Sequence, residues 1–136
     1  MAHETWLVVA DEGNWRVQVL TRSGAVVRIL KVMDAEDVIH LGRSMCGVTV
    51  CVTTGEVLLT DSEKHRVLSW CIAGGGKLRV VCGGLERMNS VDTDDDESNG
   101  DSAPTGLFNG PFGVVVSGDG ALWVADSNNH RLCLFR

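Results

Sequence analysis

The segment from Pro111 to Phe135 reads PFGVVVSGDGALWVADSNNHRLCLF, and it contains three short apolar runs separated by two turn signals. Asp119-Gly120 is a pair that accepts the positive φ of a tight hairpin turn. Ser127-Asn128-Asn129 supplies side chains that bond to nearby backbone groups. The segment therefore predicts an antiparallel sheet with strands at Gly113–Ser117, Ala121–Asp126 and His130–Phe135.

Two earlier segments repeat part of this pattern. The three copies align without gaps as Trp6–Val19 (WLVVADEGNWRVQV), Glu56–Ser69 (EVLLTDSEKHRVLS) and Ala121–Leu134 (ALWVADSNNHRLCL). In each copy an apolar run ends in Asp, and Arg follows five positions later, which gives the pairs Asp11/Arg16, Asp61/Arg66 and Asp126/Arg131. If the residues between them form a hairpin loop, Asp and Arg face each other on adjacent strands, where opposite charges support the register.

The apolar runs of these copies do not alternate with polar residues. Leu122-Trp123-Val124 and Val57-Leu58-Leu59 are continuous, which is typical of strands that are covered on both faces. Small antiparallel sheets stacked face to face, as in the blades of a β-propeller, satisfy both the hairpin signals and the continuous runs. A β-sandwich is the alternative, but its outer faces are expected to show more polar alternation.

The third copy, together with the residues before it, resembles an NHL repeat, the unit of a β-propeller family named for an Asn-His-Leu signature. Asn129-His130-Arg131 stands at the signature, whereas the second copy has Lys64-His65-Arg66 and the first has Asn14-Trp15-Arg16. The second copy also lacks the proline of Gly110-Pro111-Phe112-Gly113. The residues that form the structural signature of the repeat are Asp11, Arg16, Asp61, His65, Arg66, Asp126, Asn129, His130 and Arg131.

These observations predict an all-β fold: a partial β-propeller of the NHL type with about two and a half blades of four-stranded antiparallel sheets. One domain, residues 1–136, contains blade parts at approximately 4–30, 47–82 and 112–136. Asp34–Arg43 is expected to cross between blades with one short helical turn. The other expected strands are Gly24–Leu30, Val48–Val52, Val57–Thr60, Arg66–Cys71 and Lys77–Cys82, so that the blades have three, four and three strands.

Such a chain cannot close a ring alone, because closed propellers use about four to eight blades. Each outermost blade is expected to expose an apolar face, which monomers rarely tolerate over a large area. We expect the propeller to be completed by blades of a longer polypeptide, with self-association of copies as the alternative.

Residues 86–106 are expected to form an acidic loop insertion. Six acidic residues between positions 92 and 101 equal the net charge of −6. Aspartates at alternate positions resemble the start of an EF-hand loop, but Glu97 and Ala103 stand where that loop needs Gly and a bidentate Glu. A solvated insertion is therefore favoured over a calcium site.

The histidines and cysteines do not have the spacing of a metal or catalytic site. His65 and His130 recur at one repeat position, which favours a shared structural role, whereas His3 and His40 are isolated. The five cysteines are odd in number and lack a C-x-x-C motif, which predicts reduced thiols and a reducing, cytoplasmic compartment. No catalytic, cofactor-binding or metal-binding residue is predicted, and the N-terminus lacks the pattern of a secretory leader.

We therefore expect a non-catalytic binding or scaffold module that contacts another protein. Two alternatives stay open: part of a metal-dependent propeller hydrolase or lyase, and an RNA-binding propeller. The 12 basic residues face 18 acidic ones without forming a cluster, which argues against nucleic acid. The sequence also lacks an apolar run long enough to span a membrane.

Overall fold

The computed structural model describes residues 5–31, 42–73, 76–84 and 108–136. These residues form ten β-strands and no α-helix. The expected acidic insertion, His3, His40 and most of the expected helical crossover lie outside them. The strands are β1 (Trp6–Asp11), β2 (Arg16–Thr21), β3 (Val26–Lys31), β4 (Met45–Val50), β5 (Val57–Asp61), β6 (Arg66–Cys71), β7 (Lys77–Gly83), β8 (Pro111–Val116), β9 (Leu122–Asp126) and β10 (Arg131–Phe135).

Consecutive hairpins arrange the described strands into three antiparallel sheets. The first sheet contains β1, β2 and β3, the second contains β4 to β7, and the third contains β8, β9 and β10. The strand count of three, four and three agrees with the sequence-based expectation, and the all-β partial propeller is confirmed. None of the described segments is a helix long and apolar enough to cross a membrane.

Several strand boundaries differ from the prediction for local reasons. β4 begins at Met45 instead of Val48, and β8 at Pro111 instead of Gly113, because a β-bulge in each lets the earlier residue still pair with the aspartate of the next strand. β10 begins one residue after His130, because the left-handed conformation of that histidine closes the preceding turn.

At the other end of the sheets, further strand boundaries differ from the prediction. β3 begins at Val26 instead of Gly24, because Gly24 has φ +88° and belongs to the turn. β4 ends at Val50, and Cys51 starts the turn, where it bonds to Glu56 and Gly55 through its backbone. Likewise, β8 ends at Val116 instead of Ser117, and β9 begins at Leu122 instead of Ala121. Each of these predictions extended a strand into a hydrogen-bonded turn.

Two apolar layers hold the sheets together. The layer between the first and second sheets contains Val17, Val19, Leu30, Met45, Val57, Leu59, Leu68 and Trp70. The layer between the second and third sheets contains Leu58, Val67, Phe108, Leu122, Val124 and Cys133. Because successive side chains of a strand point to opposite faces, β5 contributes to both layers and all of its residues are buried. The continuous apolar run is thus explained by cover on both faces.

The faces at the two ends of this stack are partly open. On the first sheet, Leu7 and Val9 are 49% and 39% exposed. On the third sheet, Trp123 and Leu132 are 38% and 70% exposed. The second sheet is therefore packed on both faces, whereas each outer sheet is packed on one.

Candidate functional site: the turn end of the sheets

The signature residues lie at one end of the sheets, which we call the turn end. It consists of the turns after β1, β5 and β9 and of the segments that lead into β4 and β8, namely residues 12–15, 62–65, 127–130, 42–44 and 108–110. Hydrogen bonds between these turns and segments fix their positions. The turn end is thus built by the repeat itself.

Asp61 connects three parts of the second sheet. Its carboxylate is completely buried and accepts hydrogen bonds from Nε of Arg66 (3.0 Å), from the backbone N–H of Lys64 (3.2 Å) and from that of Gly42 (2.9 Å). Asp61 and Arg66 are also direct partners in the strand register. The buried charge is stabilised because it is paired and hydrogen-bonded.

Asp126 repeats this arrangement in the third sheet. It is buried and accepts hydrogen bonds from Nε of Arg131 (2.7 Å), Nδ2 of Asn129 (2.8 Å) and the backbone N–H of Asn109 (2.6 Å). The signature asparagine, Asn129, thus has a structural role, because its side chain donates to Asp126. In the second sheet, the backbone N–H of Lys64 donates to Asp61 from the same position of the turn.

Asp11 has the same role in the first sheet, but with side-chain donors. It accepts hydrogen bonds from Nε of Arg16 (2.6 Å), Nδ2 of Asn14 (2.9 Å) and Nε2 of Gln18 (3.0 Å). The hydrogen bonds from Arg16 and Asn14 lower the pKa of Asp11. All three predicted Asp–Arg pairs are thus present, and the pair in the first sheet is the most exposed.

The position of the signature histidine has a left-handed backbone in all three copies. Trp15, His65 and His130 have φ values of 54°, 53° and 51°. At Trp15 and His130 the backbone N–H closes a 3-10 turn. Nδ1 of His65 also accepts the backbone N–H of Gly110, at 3.0 Å, from the segment that enters the third sheet. For His65, the predicted hydrogen bond between turns is therefore present.

Polar contacts that the sequence-based reasoning missed connect the second sheet to the third. The hydroxyl of Thr60 donates to the carbonyl of Phe112 (2.8 Å), and that of Ser62 donates to the carbonyl of Pro111. Gly47 permits this approach, because a Cβ at that position would collide with the carbonyl oxygen of Phe112. The repeat alignment gave no signal for Thr60, since the matching residues are Ala10 and Ala125.

A second missed group connects the first sheet to the second. Oε1 of Glu12 accepts hydrogen bonds from Oγ of Ser44 (3.1 Å) and Sγ of Cys46 (3.4 Å). These contacts span more than thirty residues of sequence, so spacing alone could not have found them.

An aromatic residue and a cation lie exposed side by side at the turn end. The guanidinium carbon of Arg43 lies 5.2 Å from the ring centroid of Trp15, within cation–π range. Half of the Trp15 surface is exposed. The backbone N–H of Arg43 donates to the carboxylate of Glu63. The backbone of Arg43 is therefore anchored to the neighbouring turn, while half of the Trp15 surface stays exposed.

The five cysteines are free thiols, and all lie in the described part of the chain. Burial raises the pKa of Cys82 to about 11 and also raises that of Cys133. Hydrogen bonds from Thr53 and Thr54 lower the pKa of Cys51 to about 7. Across residues 5–31, 42–73, 76–84 and 108–136, no group of three or more His, Cys, Asp or Glu side chains could hold a metal ion.

Comparison with known families identifies the third sheet. Residues 108–135 match the NHL repeat family. The third sheet is therefore similar to an NHL repeat. The matched residues include Phe108 and the segment that enters β8, so Asn109 and Gly110, which contact Asp126 and His65, belong to the matched segment.

Solved structures resemble all three sheets in fold. Two structures of virginiamycin B lyase from Staphylococcus aureus, one of them an inactive histidine-to-alanine variant with quinupristin, give TM-scores of 0.56 and 0.54 at 12% sequence identity. Each comparison covers 99% of this chain and 39% of the lyase chain. The chain thus spans about two fifths of the length of these structures, and the likeness is one of fold. Among curated proteins, no sequence gives a significant match.

Proposed function

We propose that this chain is a non-catalytic binding module that recognises another protein through the turn end of its first and second sheets. The observation that supports the proposal is the exposed Trp15–Arg43 pair. Tryptophan and arginine are enriched among the residues that dominate protein–protein binding energy. An aromatic ring held in place before binding also loses little conformational entropy when a partner covers it.

The surroundings of the pair favour a polar peptide or loop as the ligand. Glu12 and Glu63 carry carboxylates next to Arg43 and Ser44, so that both signs of charge lie within one small surface. Such a mixed surface suits a protein ligand better than a polyanion, because the carboxylates would repel phosphate groups.

A peptide library displayed on phage tests this proposal without a known partner. Peptides selected on the wild-type chain should bind the Trp15→Ala variant about thirtyfold more weakly, as expected for a central aromatic residue. Trp6→Ala is the matched control, because Trp6 is 40% exposed and lies at the opposite end of β1 from the turn end. Unfolding midpoints should show that both variants keep the fold.

Peptides that bind Trp15→Ala as tightly as the wild-type chain, or that depend on Trp6 instead, would contradict the proposed surface. An electrophoretic shift with RNA that is lost at modest salt would favour the RNA-binding alternative.

The likeness to a lyase fold keeps a second candidate function open: part of a metal-dependent propeller hydrolase or lyase. Such an enzyme needs ligands from several blades around the central channel. Hydrolase or lyase activity that disappears with a chelator and returns with a divalent metal would support this candidate. The cytoplasmic location stays a prediction from the cysteines.

A further inference from the structure

Arg43 carries an exposed guanidinium that pairs with no carboxylate of the described residues. The ion pairs found within residues 5–31, 42–73, 76–84 and 108–136 involve other arginines, namely Arg16, Arg66, Arg79 and Arg131. The guanidinium carbon of Arg43 lies 5.2 Å from the ring centroid of Trp15. A cation–π contact attracts the charge to the ring face, but it supplies no oxygen acceptor for the N–H donors of the guanidinium.

Two carboxylates lie beside Arg43, but both are engaged with other groups. Glu63 accepts the backbone N–H of Arg43. Glu12 accepts hydrogen bonds from Oγ of Ser44 (3.1 Å) and from Sγ of Cys46 (3.4 Å). The carboxylates of the neighbouring turns thus bind backbone, hydroxyl and thiol donors, and the guanidinium donors stay open to a ligand.

We propose that the ligand of this surface supplies an aspartate or glutamate side chain, whose carboxylate pairs with the guanidinium of Arg43 while an adjoining part of the ligand covers Trp15. This inference rests on the function proposed above, and it names the chemical group that the site recognises. The planar donors of arginine match the two oxygens of a carboxylate, and such pairs are frequently bidentate. The contact with Trp15 also restricts the arginine side chain before binding, which lowers the entropy that binding costs.

The charges near Arg43 favour a carboxylate over a phosphate group. Glu12 and Glu63 belong to the two turns that contact Arg43, so a phosphate with close to two negative charges would meet like charge on both sides. The net charge of −6 of the whole chain acts at longer range and is screened beyond about 8 Å at physiological ionic strength. The contact is therefore determined by the local arginine.

A side-chain carboxylate also fits this surface better than the C-terminal carboxylate of a peptide. Terminal carboxylates are captured by adjoining backbone N–H groups. The backbone N–H of Arg43 already donates to Glu63, and that of Trp15 donates to the carbonyl of Glu12. The pair therefore offers a guanidinium to the ligand but no backbone donor.

Pairs of twin peptides test this inference. Peptides selected on the wild-type chain are resynthesised with a fluorescein label and an amidated C-terminus, once with their Asp or Glu and once with the matching Asn or Gln. In fluorescence polarisation, the acidic peptide should bind about tenfold more tightly than its amide twin, because the twin lacks the charge-assisted pair with Arg43. Added salt should weaken binding of the acidic peptide more than binding of its twin.

Variants of the chain assign the effect to Arg43. Arg43→Gln should abolish the preference for the acidic peptide. Arg43→Lys should keep only part of it, because lysine lacks the planar set of donors. Arg22→Gln is the matched control and should keep the full preference, since Arg22 is exposed in the turn after β2, at the opposite end of the sheet. All three variants should unfold at the wild-type midpoint, because these side chains are exposed.

Several results would overturn the inference and leave the proposed function intact. Selected peptides that require Trp15 but contain no Asp or Glu would do so, as would acidic and amide twins that bind equally. A preference that Arg43→Gln leaves unchanged would place the carboxylate elsewhere. Tighter binding of a peptide with phosphoserine at the acidic position, or with a free C-terminal carboxylate in its place, would contradict the proposed chemistry. Binding that does not depend on Trp15 would overturn both proposals.

Discussion

At the scale of single residues, a buried carboxylate is stable only where donors replace the water it has lost. Asp61 and Asp126 each have an arginine Nε and a backbone N–H from the segment entering their own sheet, together with one donor from the turn. The aspartate therefore fixes the hairpin and the entering segment at once. This explains why it recurs with an arginine five positions later.

Asp61→Asn should destabilise the chain by about 3 kcal/mol, because it removes the buried negative charge that pairs with the largely buried Arg66. Urea unfolding measures the change. The control is Glu56→Gln, which breaks an ion pair whose Arg79 side chain is 66% exposed and should cost less than about 1 kcal/mol. Equal losses for the two variants would mean that the buried network is not what stabilises the hairpin.

Asp11 should make the stability of the chain depend on pH. Hydrogen bonds from Arg16 and Asn14 lower its folded-state pKa, whereas an unfolded aspartate titrates at about 3.9. Its contribution is therefore complete above about pH 4 and is lost as the pH falls through the lower folded-state pKa. The difference in unfolding free energy between the wild-type chain and Asp11→Asn should shrink on acidification. A difference that stays constant down to about pH 3 would contradict this.

At the scale of strands and sheets, the sequence predicted the pairing within hairpins but not the contacts between sheets. The Asp–Arg spacing predicted the registers Asp61↔Arg66 and Asp126↔Arg131, because a hairpin is closed by its own residues. The hydrogen bond between His65 and Gly110 spans 45 residues, and no local pattern identifies such a partner. The bulges of β4 and β8 were missed for the same reason, because they depend on pairing with the next strand.

Gly47 offers a test of how closely the second and third sheets approach each other. Gly47→Ala should destabilise the chain by about 2 kcal/mol, because the added methyl group would collide with the carbonyl of Phe112 and with Oγ1 of Thr60. Gly113 has the matching place in the third sheet, because it precedes the residue that pairs with Val124 as Gly47 precedes the residue that pairs with Leu59. Gly113→Ala should be tolerated, since its methyl group meets only an ordinary contact. Thermal unfolding of both variants measures the contrast. A tolerated Gly47→Ala would show that the sheets lie farther apart.

At the scale of the whole molecule, the three described sheets form a stack in which only the second is packed on both faces. The continuous apolar run of β5 predicted this arrangement, because each of its faces belongs to a different layer. The first and third sheets have similar apolar runs, and each has one covered and one partly exposed face. Leu7 and Leu132 are large apolar residues of the kind found in strands packed on both faces, yet both are exposed, because no described sheet covers their side.

The most direct test of the stacked arrangement is a methyl NOESY spectrum of the selectively labelled chain. The stack predicts cross-peaks between methyl groups of Val17 or Val19 and those of Val57, Leu59 or Leu68. It also predicts cross-peaks between methyl groups of Leu58 or Val67 and those of Leu122 or Val124, with none between the first group of valines and Val124. Cross-peaks that join the first and third sheets directly, or the absence of both predicted sets, would contradict the account.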